Sequence, residues 1–302
     1  MGSGEGLTER FEAHRDHLRQ VAFRMLGSLD EADDAVQQAW MRANRADLSG
    51  VENLAGWLTT VTSRVCLDML RSRQRRGERA LAGSGEPGIV ESSVAAPAGS
   101  SPEAEAVMAE AVGLALLVVL DRLSPAQRVA FVLHDLFAVP FDQIAQVVDR
   151  STVATKKLAS RARDRVRGPA TSPASGPERA EHRAVVEAFL TASRSGDFDT
   201  LLHLLAPDVV RRADRVAIPA GTATEVRGAR AVAEETRVFA ARARQAEVAL
   251  VDGVPGIVVA PSGGLLNVLR VTVADGRITE LDVIANPTRL AETTLGVIAD
   301  PR

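Results

Sequence analysis

Two stretches without any apolar period divide the chain into three blocks, and within each block the spacing of apolar residues predicts the elements. In the first block the period is helical. "FEAHRDHLRQVAFRMLG" sets Phe11, Leu18, Val21, Ala22 and Met25 on one face and stops at Gly27. "SLDEADDAVQQAWMRAN" then opens on Ser28 as an N-cap, with acids in its first turn and Ala32, Ala35, Val36 and Ala39 as its inner stripe. A third helix, "NLAGWLTTVTSRVCLDMLRSRQRR", starts near Asn53 and turns Trp57, Leu58, Val61, Val65 and Leu67 or Leu70 inward. The second block holds "SPAQ", an N-cap with Pro at the first helical position, and then "PFDQIAQVVDRST". A short helix from Phe141 to Val148, a polar break at Asp149 and Arg150, and a helix capped by Ser151 have the rhythm of a helix-turn-helix.

The third block changes period. "ERAEHRAVVEAFLTASRSGDFDTLLHLLAPDVVRRA" predicts an amphipathic helix, a Gly-Asp turn, a short helix and a strand, and a further helix is expected near Arg230 to Arg244. "AEVALVDG", "PGIVVAPSGG", "LLNVLRVTVADG" and "RITELDVIAN" alternate between Asp-Gly or Gly-Gly turns, as in an antiparallel meander. This is an α+β domain with helices on one face of a curved sheet. The stretches between blocks are rich in Gly, Ser, Pro and Ala, the composition of connectors. They place domains at 7–80, 107–168 and 179–290, linkers at 81–106 and 169–178, and a tail at 291–302.

Composition narrows the chemistry. The lone cysteine, Cys66, excludes an internal disulfide framework and fits a reducing cytoplasm, where the chain is expected. The longest apolar run, "AVGLALLVVL", is too short to span a bilayer, so no membrane association is expected. A net charge of −3 would not by itself indicate a polyanion partner, but the cations cluster. "RSRQRRGER" carries Arg71, Arg73, Arg75 and Arg76, and "STVATKKLASRARDRVR" holds both lysines of the chain. At about 100° per residue, Thr155, Ala159, Ala162 and Val166 share an inner arc. Lys156, Lys157, Ser160, Arg163 and Arg167 share the opposite one, a face suited to the major groove of DNA.

Both helical blocks, in this order, resemble an extracytoplasmic-function (ECF) sigma factor, the specificity subunit of bacterial RNA polymerase. "EADDAVQQAWMRA" is similar to the family's polymerase-docking segment, which implies core contacts for Asp33, Asp34 and Gln37. "GWLTTVTSRVCLDMLRSRQRR" resembles the helix that melts and reads the minus-ten element, implying DNA roles for Trp57, Arg64, Arg71, Arg73, Arg75 and Arg76. Trp57, on an inner stripe, is also open to a plain core reading. "LSPAQRVAFVLHDLFAVPFDQIAQVV" with "LASRAR" resembles region 4, which reads the minus-thirty-five element. The third block resembles the SnoaL-like, or NTF2-like, cone. The implied partners are promoter DNA and core polymerase, through its beta-prime clamp and beta flap.

The resemblance implies that the fused cone regulates in cis, as such domains do, often without a separate anti-sigma protein, and none is expected here. The motifs for this are partly eroded: "NPTRL" keeps Asn286, Pro287 and Leu290 of the family's tail, Asp214 alone matches its glycine-rich loop, and Glu86 and Pro87 are what remains of its linker motif. No paired catalytic constellation, cofactor motif or metal-ligand spacing is read, so an enzyme is not expected. His203, among leucines, is expected to be structural, and Asp208 to start a strand. Two other readings stay open: a ligand-sensing or enzymatic cone fused to a DNA-binding regulator, and a helix-turn-helix repressor.

Overall fold

The computed structural model describes residues 2–83, 113–168, 176–261 and 265–298. Among these, residues up to 83 with 120–163 form one compact unit, and residues 113–119 with those from 164 onward form a second. The linker read at 81–106 lies, beyond Gly83, outside the described residues, as do Glu86 and Pro87 and most of 169–178.

The first unit begins with a three-helix bundle, α1 (Gly2–Leu26), α2 (Leu29–Ala43) and α3 (Leu54–Gly83). Ser28 caps α2 by accepting from the Glu31 N–H at 3.4 Å, and Gly27, at φ 82°, makes the left-handed turn that ends α1. Asn53 caps α3 by accepting from the Gly56 N–H at 3.0 Å. Phe11, Leu18, Val36, Ala43, Leu54 and Leu58 close the bundle core, and Trp40 and Trp57 pack half-buried against it. Truncating Leu18 or Leu58, both fully buried, would cost about 2–5 kcal/mol.

Next in sequence come α4 (Leu114–Asp121), α5 (Pro125–Phe131), a single π-helical turn (Val132–Leu136), α6 (Phe141–Val148) and α7 (Thr152–Arg167). Ser124 and Gln127 make a reciprocal capping box at the start of α5. The break between α6 and α7 is made by Asp149 in the left-handed region, φ 55° and ψ 57°, which aspartate visits more readily than most residues. The Arg150 N–H returns to the Ala145 carbonyl at 3.1 Å. Within the first unit α3 packs on both α5 and α6.

The second unit holds α8 (Gly176–Ser195), α9 (Phe198–Leu204), β1 (Leu205–Ala213), β2 (Glu225–Arg227), α10 (Ala229–Val238), α11 (Ala240–Ala243), β3 (Ala246–Val251), β4 (Val254–Val259), β5 (Asn267–Ala274), β6 (Arg277–Ile284), α12 (Pro287–Glu292) and β7 (Leu295–Gly296). The sheet order is β2-β1-β6-β5-β4-β3-β7. Asp252-Gly253 and Asp275-Gly276 both have positive φ, the type I′ geometry of two-residue hairpins. The meander from β3 to β6 is antiparallel as expected, but β1 pairs parallel to β6, which the long excursion through α10 and four strands allows.

Alternation separates the two faces of this sheet. Val186, Phe189, Leu201, Ile257, Val271 and Leu281 build a core on the inner face, under the helices. Val251, Val258, Val268 and Ile284 point to the outer face, where Ala115, Val118 and Val119 of α4 cover them. The Ala115 N–H donates to Glu247 at 2.6 Å, and the Val297 N–H donates to the Val166 carbonyl at the end of α7 at 2.7 Å. His203 is exposed, its ring nitrogen 2.7 Å from the Asp199 carbonyl: Leu201 and Leu205 take the inward positions and leave the residue between them outside.

Candidate nucleic-acid interface

On α7 the two arcs separate as their spacing requires. Thr155, Ala159 and Ala162 are buried, and Lys156, Lys157, Ser160 and Arg167 are exposed. Ser151 caps the helix, accepting from the Ala154 N–H at 3.2 Å, and Lys156 holds its ammonium 5.9 Å from the centre of the Phe141 ring. Arg163 differs from its neighbours: it is half-buried and donates to Asp135 at 2.7 Å, so it joins α7 to the preceding π turn. Val153, 66% exposed in the first turn of α7, escapes the sequence reading because it falls off the inner arc.

The cations of α3 are used differently. Arg71, Arg75 and Arg76 are exposed, Arg75 donating to Ser72 at 3.2 Å. Arg64 is exposed too, but its guanidinium donates to the Gln146 carbonyl of α6 at 3.0 Å. Arg73 pairs with Glu31 and donates to the Leu26 carbonyl at 3.3 Å, bridging three segments of the bundle. Trp57 lies half-buried against the core. Cys66, fully buried, has its thiol pushed up to about 12 by burial, which removes it as a ligand or nucleophile at neutral pH.

On α2, Asp34 and Gln37 are exposed and lie one turn apart. Asp33 instead receives two hydrogen bonds from Arg19, at 2.7 and 3.0 Å, and braces α1 against α2.

The tail and Asp214 are brought together. Asn286 caps α12, accepting from the Thr288 N–H at 2.9 Å, with Pro287 at the first helical position. Asp214 accepts from the Ala285 N–H at 2.9 Å and the Asn286 N–H at 2.8 Å, and Arg289 donates to it at 2.5 Å. Arg289 also reaches Asp282 at 2.7 Å, Asp282 meets Arg270, and Arg270 pairs with Asp252, whose other oxygen accepts from the Thr294 N–H at 2.8 Å. Leu290 packs half-buried against the outer core. Burial works against the Asp214 carboxylate, but the N–H groups of Asn286 and Ala285 and the Arg289 guanidinium outweigh it and hold its pKa below the ordinary value.

Among the described residues no cluster of His, Cys, Asp or Glu is arranged to hold a metal ion, and no helix is long and apolar enough to cross a membrane. Residues 10–76 match Sigma-70 region 2, and residues 113–166 match Sigma-70, region 4. The chain is 34% identical over 295 residues to the probable ECF RNA polymerase sigma factor SigI of Mycobacterium tuberculosis, covering 96% of this chain and 97% of that one. It is 37% identical over 297 residues to ECF RNA polymerase sigma factor SigJ of the same species, covering 94% and 93%. The crystal structure of that species' SigJ aligns with 94% of this chain and 98% of its own at 35% identity and a TM-score of 0.44. By sequence identity across nearly its whole length, and by both sigma-70 regions in order, the chain belongs to the ECF RNA polymerase sigma factors.

Proposed function

We propose that this sigma factor reads the minus-thirty-five element through α7, with Lys156, Lys157, Ser160 and Arg167 on phosphates and base edges and Val153 against a thymine methyl. In this reading Arg163 positions α7 through Asp135. The exposed arginines of α3, Arg71, Arg75 and Arg76, hold the minus-ten strand, and Asp34 and Gln37 dock on the beta-prime clamp of core polymerase while the α5–α7 region meets the beta flap. The observation that carries this is the division of α7 into a buried small-residue face and an exposed cationic one behind a left-handed turn at Asp149. Arg64 reaches DNA only when α6 moves away from α3, because the Gln146 carbonyl now holds it.

The cone restrains the sigma regions in cis, so no separate anti-sigma protein is needed. Two contacts support this. The outer face of its sheet covers the apolar side of α4, the first helix of the region 4 match, and β7 sits against the end of α7. At that second contact a Cβ on Gly296 would stand 2.8 Å from the Gly168 backbone. Gly296→Val therefore forces them apart, and of the exposed cations it reaches Arg167 alone, at its backbone carbonyl 2.9 Å away. Run-off transcription with purified core polymerase tests the reading: the wild-type chain should give a promoter-specific transcript, and Gly296→Val several-fold more. Equal or lower output from Gly296→Val would remove the restraint, and no transcript from either would remove the promoter reading.

A further inference from the structure

The inner face of the sheet in the second unit is not filled. Between it and α8, α10 and α11 lies a cavity of about 110 Å³, walled by Phe189, Leu190, Ile257, Leu269 and Leu281. Its polar groups are few and specifically disposed. Arg211, 5% exposed, lines the wall, but its charge is already met: it forms a two-pronged pair with Glu235 and donates to the Ala223 and Thr224 carbonyls at 3.1 and 3.2 Å. Ser193 and Thr236 also line it, and both hydroxyl protons are directed back to their own helices, to the Phe189 and Val232 carbonyls at 2.7 and 2.8 Å. What these two hydroxyls offer the cavity is lone pairs. Asn267, at the start of β5 and 4% exposed, lines the same space, and its side-chain oxygen is buried with no partner among the described residues. Alternation along β5 puts Asn267 and Leu269 on this inner face and Val268 on the outer one.

We propose that this cavity binds a compact neutral molecule: an apolar body of about one ring carrying one O–H or N–H donor, seated with the donor on the Asn267 side-chain oxygen. Size sets the body. An engineered apolar cavity of about 150 Å³ takes benzene, so this smaller space holds at most one ring with a small substituent. Electrostatics set the head. The buried wall is rich in acceptors and its buried cation is neutralised, while Arg242, the other cation of the lining, is exposed to water and donates to the Ala217 carbonyl at 2.9 Å. The interior therefore favours a neutral donor and disfavours a carboxylate or phosphate, whose charge would be desolvated against further oxygens. A site built around an unpaired buried acceptor discriminates strongly against the analogue that lacks the donor. The proposal is independent of the polymerase and promoter assignments.

The test uses the full-length chain and three one-ring probes: phenol, toluene of equal size, and the bulkier, charged benzoate. Dissociation constants are measured by ligand-observed NMR titration, and occupation of this cavity is assigned from chemical-shift changes of labelled Ile257, Leu269 and Leu281 methyls. Phenol is expected to bind at least tenfold more tightly than toluene and benzoate. Asn267→Leu, of the same branched shape but bulkier and without the acceptor, should abolish the preference of phenol over toluene. The wild-type comparison needs no variant, so it stands even if Asn267→Leu does not fold. Equal binding of phenol and toluene, tighter binding of benzoate, shifts confined to methyls elsewhere, or no binding of any probe because the cavity keeps only water would each overturn the proposal.

Discussion

Two helices of this chain look alike as strings of cations, and the structure uses them in different ways. On α7 the two lysines stand exposed and make no ion pair among the described residues, although Arg163 on the same face is tied to Asp135, whereas on α3 Arg64 and Arg73 are committed to a neighbouring carbonyl and to a carboxylate. The chemistry of the side chains accounts for much of this. A guanidinium is a rigid fork of five donors that matches backbone carbonyls and carboxylates, while an ammonium is strongly hydrated and stays on its flexible stem in water. Cation density therefore locates a candidate interface, but the partners within reach decide which cations remain for DNA.

Removing the lysines should have the largest effect on that contrast. Lys156→Ala with Lys157→Ala is expected to weaken promoter complexes by about tenfold or more and to lower the salt slope by roughly two, one for each phosphate no longer neutralised. Filter binding across a salt series measures both, and an unchanged slope would take α7 off the phosphates. Next, Asp34→Ala with Gln37→Ala should reduce core-polymerase affinity about tenfold in a fluorescence titration while circular dichroism stays unchanged. Smaller, and sharper as a comparison, is a pair on α3. Arg73→Ala should cost about 1 kcal/mol of stability by unpairing the half-exposed Glu31 and the Leu26 carbonyl, seen as a lower melting temperature, and Arg71→Ala should leave melting unchanged while weakening DNA binding.

The smallest expected effect concerns the tail. Asp214 has a folded-state pKa below its unfolded value of about 3.9. Its contribution to the latch is therefore fully present above that value and is lost as the pH falls through the folded pKa. Amide exchange at Ala285 and Asn286 should stay slow at pH 5, after correction for intrinsic rates, and lose protection only below about pH 4. Protection lost between pH 5 and 7 would mean that another group holds the tail.

Much of this molecule was legible because local rules dominate where elements are short and strongly periodic. The 3.6-residue period put Thr155, Ala159 and Ala162 inside, and Asp-Gly at 252–253 and 275–276 demanded the type I′ hairpins that are found. The contacts that modify the site join residues far apart in sequence, and no local pattern encodes them. Arg64 meets a carbonyl 82 residues away, and Asp214 meets the start of α12 from 72 residues away. The same holds for α4, whose apolar run reads as part of the second block until the outer face of the sheet is seen to cover it. The motif remnants were informative in an unexpected way. Arg289, which is not among the residues kept from the family's tail, is the one that bridges Asp214 and Asp282.

The central claim, that α7 is the promoter-reading helix of a polymerase-bound sigma factor, can be mapped directly. Cys66 is buried and its thiol is held protonated at neutral pH, so a cysteine introduced at exposed Ser160 takes a thiol-directed label selectively. Ser160→Cys carrying a tethered iron chelate should cut promoter DNA in the minus-thirty-five region when core polymerase is bound and the complex is transcriptionally active. Cutting at a specific site without polymerase, or no cutting near that element in an active complex, would contradict the account.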